Sequence, residues 1–209
     1  MQRLTRILVI VLFVVGTGII LLIHWSRDSQ VITPAPSKED ETSVYSMGDV
    51  ASQTPQGPGL SVRLAVEDGA RGHVNIQISN ASPDSTFTFL RWDTPFDPRA
   101  LDLGVVELSD AVKGVEIPGP GLKLNRKMPA PRDELIEVEP GKTLTRKLQL
   151  KGFWLPEEGT RVNVRARGEW KAVWKARKDD VPEGELETLA GERVLRGPFQ
   201  SENTVEVSI

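Results

Sequence analysis

From Leu60 onward the chain alternates apolar and polar residues with a period of two, the spacing of strands that bury one face. Leu60, Val62, Leu64 and Val66 alternate with Ser61, Arg63 and Ala65, and Val74, Ile76 and Ile78 alternate with His73, Asn75, Gln77 and Ser79. Between these runs, residues 67–72 read Glu-Asp-Gly-Ala-Arg-Gly, turn chemistry with glycines available for positive φ. A third strand is predicted over Thr86 to Trp92, and shorter ones over Val105 to Leu108, Val112 to Ile117 and Leu122 to Asn125. Leu144, Leu148 and Leu150 mark another, introduced by Pro140-Gly141. The longest alternation places Val162, Val164, Ala166, Gly168, Trp170, Ala172 and Trp174 on one face. Asn163, Arg165, Arg167, Glu169, Lys171 and Lys175 fall on the other, which only Val173 interrupts. This predicts a core face with two tryptophans and a basic solvent face. Val205, Val207 and Ile209 form a last strand. Short strands at regular spacing over residues 59–209 predict an all-β fold, an immunoglobulin-like antiparallel β-sandwich. Asp180, Pro182, Glu183, Glu185, Glu187 and Gly191 have the layout of a short capped helix or a charged loop.

The N-terminal pattern is different. Ile7 to Ile23 is an uncharged run of 17 residues between Arg6 and His24. Residues 7–25 are expected to form one transmembrane helix, a signal anchor that contacts the lipid bilayer through Ile7 to Ile23. Arg3 and Arg6 ahead of the run, against Arg27 after it, favour a cytoplasmic segment over residues 1–6 and an external remainder. The alternative is secretion after signal cleavage, opposed here by a run that continues past the small residues Gly16, Thr17 and Gly18. Residues 26–58 are rich in Ser, Thr, Pro, Gln, Asp and Glu and are expected to be a disordered linker.

With no cysteine, disulfides, thiolate zinc sites and Cys nucleophiles are excluded. The two histidines, His24 and His73, have no metal-ligand spacing, so no metal site and no cofactor is predicted. The net charge of −3 conceals an uneven distribution: residues 121–178 carry 15 Lys and Arg against 7 Asp and Glu, and residues 179–192 carry six acids and no base. Arg165, Arg167, Lys171 and Lys175 are the candidate basic face, suited to glycan, anionic lipid or an acidic partner. An external address and the lack of a binding motif argue against nucleic acid. Asn80-Ala81-Ser82 is an N-glycosylation pattern in an expected turn.

The segment Phe89-Leu90-Arg91-Trp92-Asp93-Thr94-Pro95-Phe96-Asp97-Pro98 resembles one in the N-terminal, non-catalytic β-domain of the aspzincin metallopeptidases, the deuterolysin and peptidyl-Lys family. In that domain the segment has the form Leu-Lys-Trp-Asn-Thr-Pro-Phe. The strand before Asn80, the basic stretch Lys123 to Pro129 and the turn at Pro140-Gly141 follow in the same order, so the likeness covers residues 59–170. It implies a module that packs against another protein and holds no catalytic residue. The peptidase part has no counterpart here, since H-E-x-x-H is absent.

The expected function is therefore membrane-anchored, non-catalytic binding: docking, inhibition or chaperoning of an extracytoplasmic peptidase or similar protein. Trp92, Asp93, Thr94, Pro95, Phe96 and Asp97 form the candidate partner loop. Trp92 and Phe96 have a second reading as core aromatics, and Asp93 and Asp97 as turn carboxylates that bond nearby amides or, less simply, as oxygen ligands for calcium. The alternative function is that of an envelope or wall protein holding glycan on its basic face.

Overall fold

The computed structural model describes residues 10–15, 18–23, 58–67, 69 and 71–209. In place of the expected N-terminal helix, β1 (Ile10–Val15) and β2 (Gly18–Ile23) pair antiparallel, Ile10 opposite Ile23 and Val15 opposite Gly18. The run is rich in Ile and Val, whose branched Cβ favours strand over helix. No described helix is long and apolar enough to cross a membrane. The linker expected over residues 26–58 lies outside the described residues apart from its last position.

The sandwich begins at β3 (Leu60–Ala65) and β4 (His73–Asn80), whose alternation is realised at Leu60, Val62, Leu64, Val74, Ile76 and Ile78, all buried, while Val66 falls just past β3 and is half-buried. β5 (Phe87–Leu90) and β6 (Val106–Asp110) follow, then the two-residue β7 (Glu116–Ile117). Only this fragment of the strand expected over Val112 to Ile117 forms, and Leu122 to Asn125 forms none. Pro118, Pro120 and the left-handed Gly114 and Gly121 punctuate the region, and proline offers no N–H to a ladder. β8 (Leu135–Val138), β9 (Thr143–Gln149) and the long β10 (Arg161–Trp174) complete the middle of the chain. A short helix α1 (Glu183–Thr188) precedes β11 (Leu195–Gln200) and β12 (Val205–Ser208).

One sheet has the order β3-β4-β9. The other is organised by β10, which pairs with four strands. Along one side run β12 and then β11; along the other, β6 and then β5. β7 and β8 extend the sheet from β6 and β5. Residues 201–203 join the sheets. Ser201 N donates to Ala166 O at 2.7 Å, while Asn203 Oδ1 accepts from Leu64 N and Asn203 Nδ2 donates to Leu64 O, both at 2.9 Å. The Asn203 amide thus replaces one residue of strand pairing at the β3 edge.

The main core lies between the sheets, and an aromatic chain runs through it: Phe96 to Phe89, Phe89 to Trp170 and Trp170 to Phe199, with centroids 6.0, 5.2 and 4.9 Å apart. A second core packs Leu90, Trp92, Ala130, Leu135, Ala172, Trp174, Val181 and Leu186 together. This corrects the expectation that both tryptophans share a face. A register shift between Trp170 and Val173 sends Val173 to the main core and Ala172 and Trp174 to the second. A bulge of this kind reverses the phase of a strand. The helix differs in detail too: Pro182 occupies its N-cap with no side-chain cap bond, and Leu189, not Gly191, takes the left-handed C-cap. Leu186 and a 2.7 Å hydrogen bond from Trp174 Nε1 to Glu185 Oε2 hold it on the second core.

Candidate functional site

The segment after β5 is a corner that enters both cores. Trp92 is buried in the second and Phe96 in the main one, and Thr94, Pro95 and Asp97 are buried between them. Of the six candidate loop residues only Asp93 reaches solvent, in a left-handed backbone conformation with φ 56°. Thr94 Oγ1 donates to Arg91 O at 2.7 Å and accepts from Phe96 N at 3.2 Å. Asp97 Oδ2 accepts from Asp93 N and Asp97 Oδ1 from Arg99 N, each at 2.9 Å. The Arg126 guanidinium also bonds Asp97 Oδ2 and lies 5.6 Å from the Trp92 ring centroid. Arg146 Nη1 donates to Asp97 O at 2.7 Å; burial, with Arg91 nearby, draws this guanidinium below its ordinary value. The Asp97 carboxylate is thus committed to holding the corner. No group of metal-ligating side chains occurs among the described residues.

The outward basic face is largely countered by acids. Glu107, opposite Arg165 in register, accepts from Arg165 Nη2 at 2.9 Å and also from Arg167 Nε. Lys171 Nζ lies 3.5 Å from Asp93 Oδ2. Lys175 stands apart, beyond the bulge and exposed. The structure therefore joins Asp93, Arg167 and Lys171 and leaves Lys175 out.

These three residues meet at a groove of about 390 Å³ whose lining also includes Lys123, Glu169 and the backbone of Gly104. Its origin is in the sheet. On one side of β10, β6 pairs Val162 to Ala166 and β5 pairs only Val173 and Trp174. Residues 167–172 have no strand on that side, a gap of about 20 Å at the usual strand rise. Arg167 N donates into it, to Val105 O at 3.0 Å. Antiparallel strands turn alternate residues to alternate sides, so Glu169 N–H and C=O point the same way. Its partner on the other side is Pro198, which has no N–H to offer. Lys123 and Glu169 make no ion pair among the described residues.

Asn80 does not present a glycosylation site in the folded chain. Its side chain is buried, with Nδ2 donating to Ser85 O at 2.7 Å and to Val138 O at 3.0 Å, and Oδ1 accepting from Ser82 N at 2.9 Å. His73 is a surface strand residue whose Nδ1 meets Arg71 O at 2.7 Å. Glu107 and the Leu122 to Leu124 strip escaped the sequence reading as site residues. The acid lies in an unremarkable alternation, and the strip reads as a strand.

Two facing sheets, with a C-terminal segment that passes between them, define an immunoglobulin-like β-sandwich carrying a surface groove. Residues 59–209 match the immunoglobulin-like domain family, and the chain belongs to it. It is also 31% identical over 166 residues to an uncharacterised secreted protein of Arthroderma benhamiae, an alignment covering 76% of this chain and 83% of the relative. That relative overturns the expectation of a single-pass membrane protein with a signal anchor and a bilayer contact through Ile7 to Ile23.

Proposed function

We propose that this chain is a secreted, non-catalytic binding domain that docks an extracellular protein through the groove beside β10. Ile7 to Ile23 then serves as the apolar part of a cleaved signal peptide, the reading supported by the secreted relative. The observation that carries the docking role is the convergence of Asp93, Lys123, Arg167, Glu169 and Lys171 on one groove beside an open stretch of strand. Charges of both signs around a partly apolar floor suit a protein surface better than a uniform polyanion. The resemblance of the Trp92 to Pro98 corner to the aspzincin β-domain supports a zinc peptidase as the partner class. Glycan retention draws less support, because Glu107 bonds both Arg165 and Arg167 and offsets half of their charge.

Calorimetry of the full chain against a purified deuterolysin-type catalytic domain tests this, with insoluble cell-wall polysaccharide as the control. One-to-one binding, weakened about tenfold or more by Lys171→Glu at unchanged thermal midpoint, is expected. Absence of binding at high micromolar concentration, or retention on polysaccharide alone, overturns it.

A further inference from the structure

The gap beside β10 has a chemistry more specific than a docking surface. Glu169 offers one N–H and one C=O with no strand to receive them, because pairing with β6 ends at Ala166 and pairing with β5 resumes only at Val173. On the opposite side Pro198 faces the same residue, so the β11 ladder makes no use of those groups. Within the groove the two charged side chains that form no ion pair among the described residues are of opposite sign, Lys123 and Glu169. Lys171 is already drawn to Asp93, and Arg167 to Glu107. Leu122, Leu124, Leu103 and Val105 supply apolar lining to the same groove.

We infer that the groove binds a short extended peptide by strand addition: its backbone pairs with Glu169, an acidic side chain meets Lys123 and a basic side chain meets Glu169. The inference rests on the groove being the docking site proposed above, and it names the segment of the partner that enters. A volume of about 390 Å³ admits a few residues and no long strand. The closed ends of the gap, β6 at one and the Asp93 corner at the other, impose the same limit. Main-chain pairing supplies affinity, and the two charges supply register and direction.

The test is a nitrogen-15 titration of the full chain with three blocked tripeptides: Lys-Val-Glu, its neutral counterpart Gln-Val-Gln, and Lys-Val-Glu methylated on the central amide nitrogen. The Glu169 amide resonance should move with Lys-Val-Glu. Affinity should fall about five- to tenfold on methylation, which removes one backbone donor without touching the protein. Lys123→Glu and Glu169→Lys should each weaken Lys-Val-Glu, and the double reversal should restore binding to a peptide of reversed charge order. A Glu169 resonance unmoved at millimolar peptide, or equal affinity for the methylated and unmethylated forms, overturns strand addition. If a peptidase domain still binds in calorimetry while every tripeptide fails, the docking proposal stands and this inference falls. If both fail, the groove is not a docking site.

Discussion

Asp97→Ala should be strongly destabilising although it removes no apolar surface from the corner after β5. The Asp97 side chain is 1% exposed and accepts two backbone amides, from Asp93 and Arg99, besides the Arg126 guanidinium. Removing it strands two donors and leaves Arg126 without its closest anion, with Arg126 Nε already buried and unpartnered. Breaking a buried pair costs about 3 to 5 kcal/mol, and the 25% exposure of Arg126 argues for the lower part of that range. A loss of ~3 to 4 kcal/mol follows, or roughly 6 to 16 °C in thermal midpoint for a domain of this size. Asp97→Asn should also destabilise, since its amide sets a donor against Asp93 N–H and Arg126. Adding Arg126→Met to Asp97→Ala should recover about 1 to 2 kcal/mol by removing the stranded cation. Urea unfolding followed by tryptophan fluorescence reads all four proteins. A loss under about 1 kcal/mol for Asp97→Ala would mean that Trp92 and Phe96 burial alone holds the corner.

Asn203→Ala should cost about 1 to 3 kcal/mol and speed hydrogen exchange at the Leu64 amide, because both Leu64 backbone groups lose their partner together. Produced in a glycosylating host, the chain should carry no N-glycan at Asn80 by intact mass, and Asn80→Gln should lower stability, since a longer amide cannot keep all three bonds. Stability should be level above about pH 5 and fall toward acid. Glu67 is held below its ordinary 4.5 by the Asn75 amide and Lys147. Asp84 and Asp110 are held below 3.8, the first by the Ser85 and Ser82 hydroxyls and the second by the amides of Lys113 and Val112. Unfolding therefore takes up protons, and the stability each group adds is lost as pH falls through its lowered folded value. Asp110→Asn should flatten part of that acid slope in urea titrations at successive pH values.

Strands with one wet face were legible from spacing alone. β3 and β4 appear within a residue of their predicted limits, because no glycine or proline interrupts their alternation. β11 was not legible: Gly197 and Pro198 argue locally against a strand, and only the unpaired side of Glu169 makes that proline harmless. The bulge in β10 had one trace, Val173 on the polar side, yet a periodic pattern cannot separate a stray apolar residue from a change of phase. The candidate loop stands out by residue type, and of its two readings the structure bears out the core one for Trp92 and Phe96 and the turn one for Asp97. Asp97 resembles a surface turn carboxylate until Arg126, 29 residues away, is placed beside it. The groove depends on where two strands stop, and chain order gives no warning of that.

The four partners of β10 also set an order of events during folding. β5, β6 and β8 leave the ribosome long before residue 161, and β12 follows after residue 204. Until β10 arrives, β5 and β6 each keep one unpaired edge, and loops of tens of residues must close before the sheet is whole. Folding on the millisecond-to-second scale is expected for such pairing. A nascent chain halted before residue 161 would lack the strand that completes the burial of Phe87, Phe89, Val106 and Leu108, and such a truncated chain should aggregate more readily than the whole one.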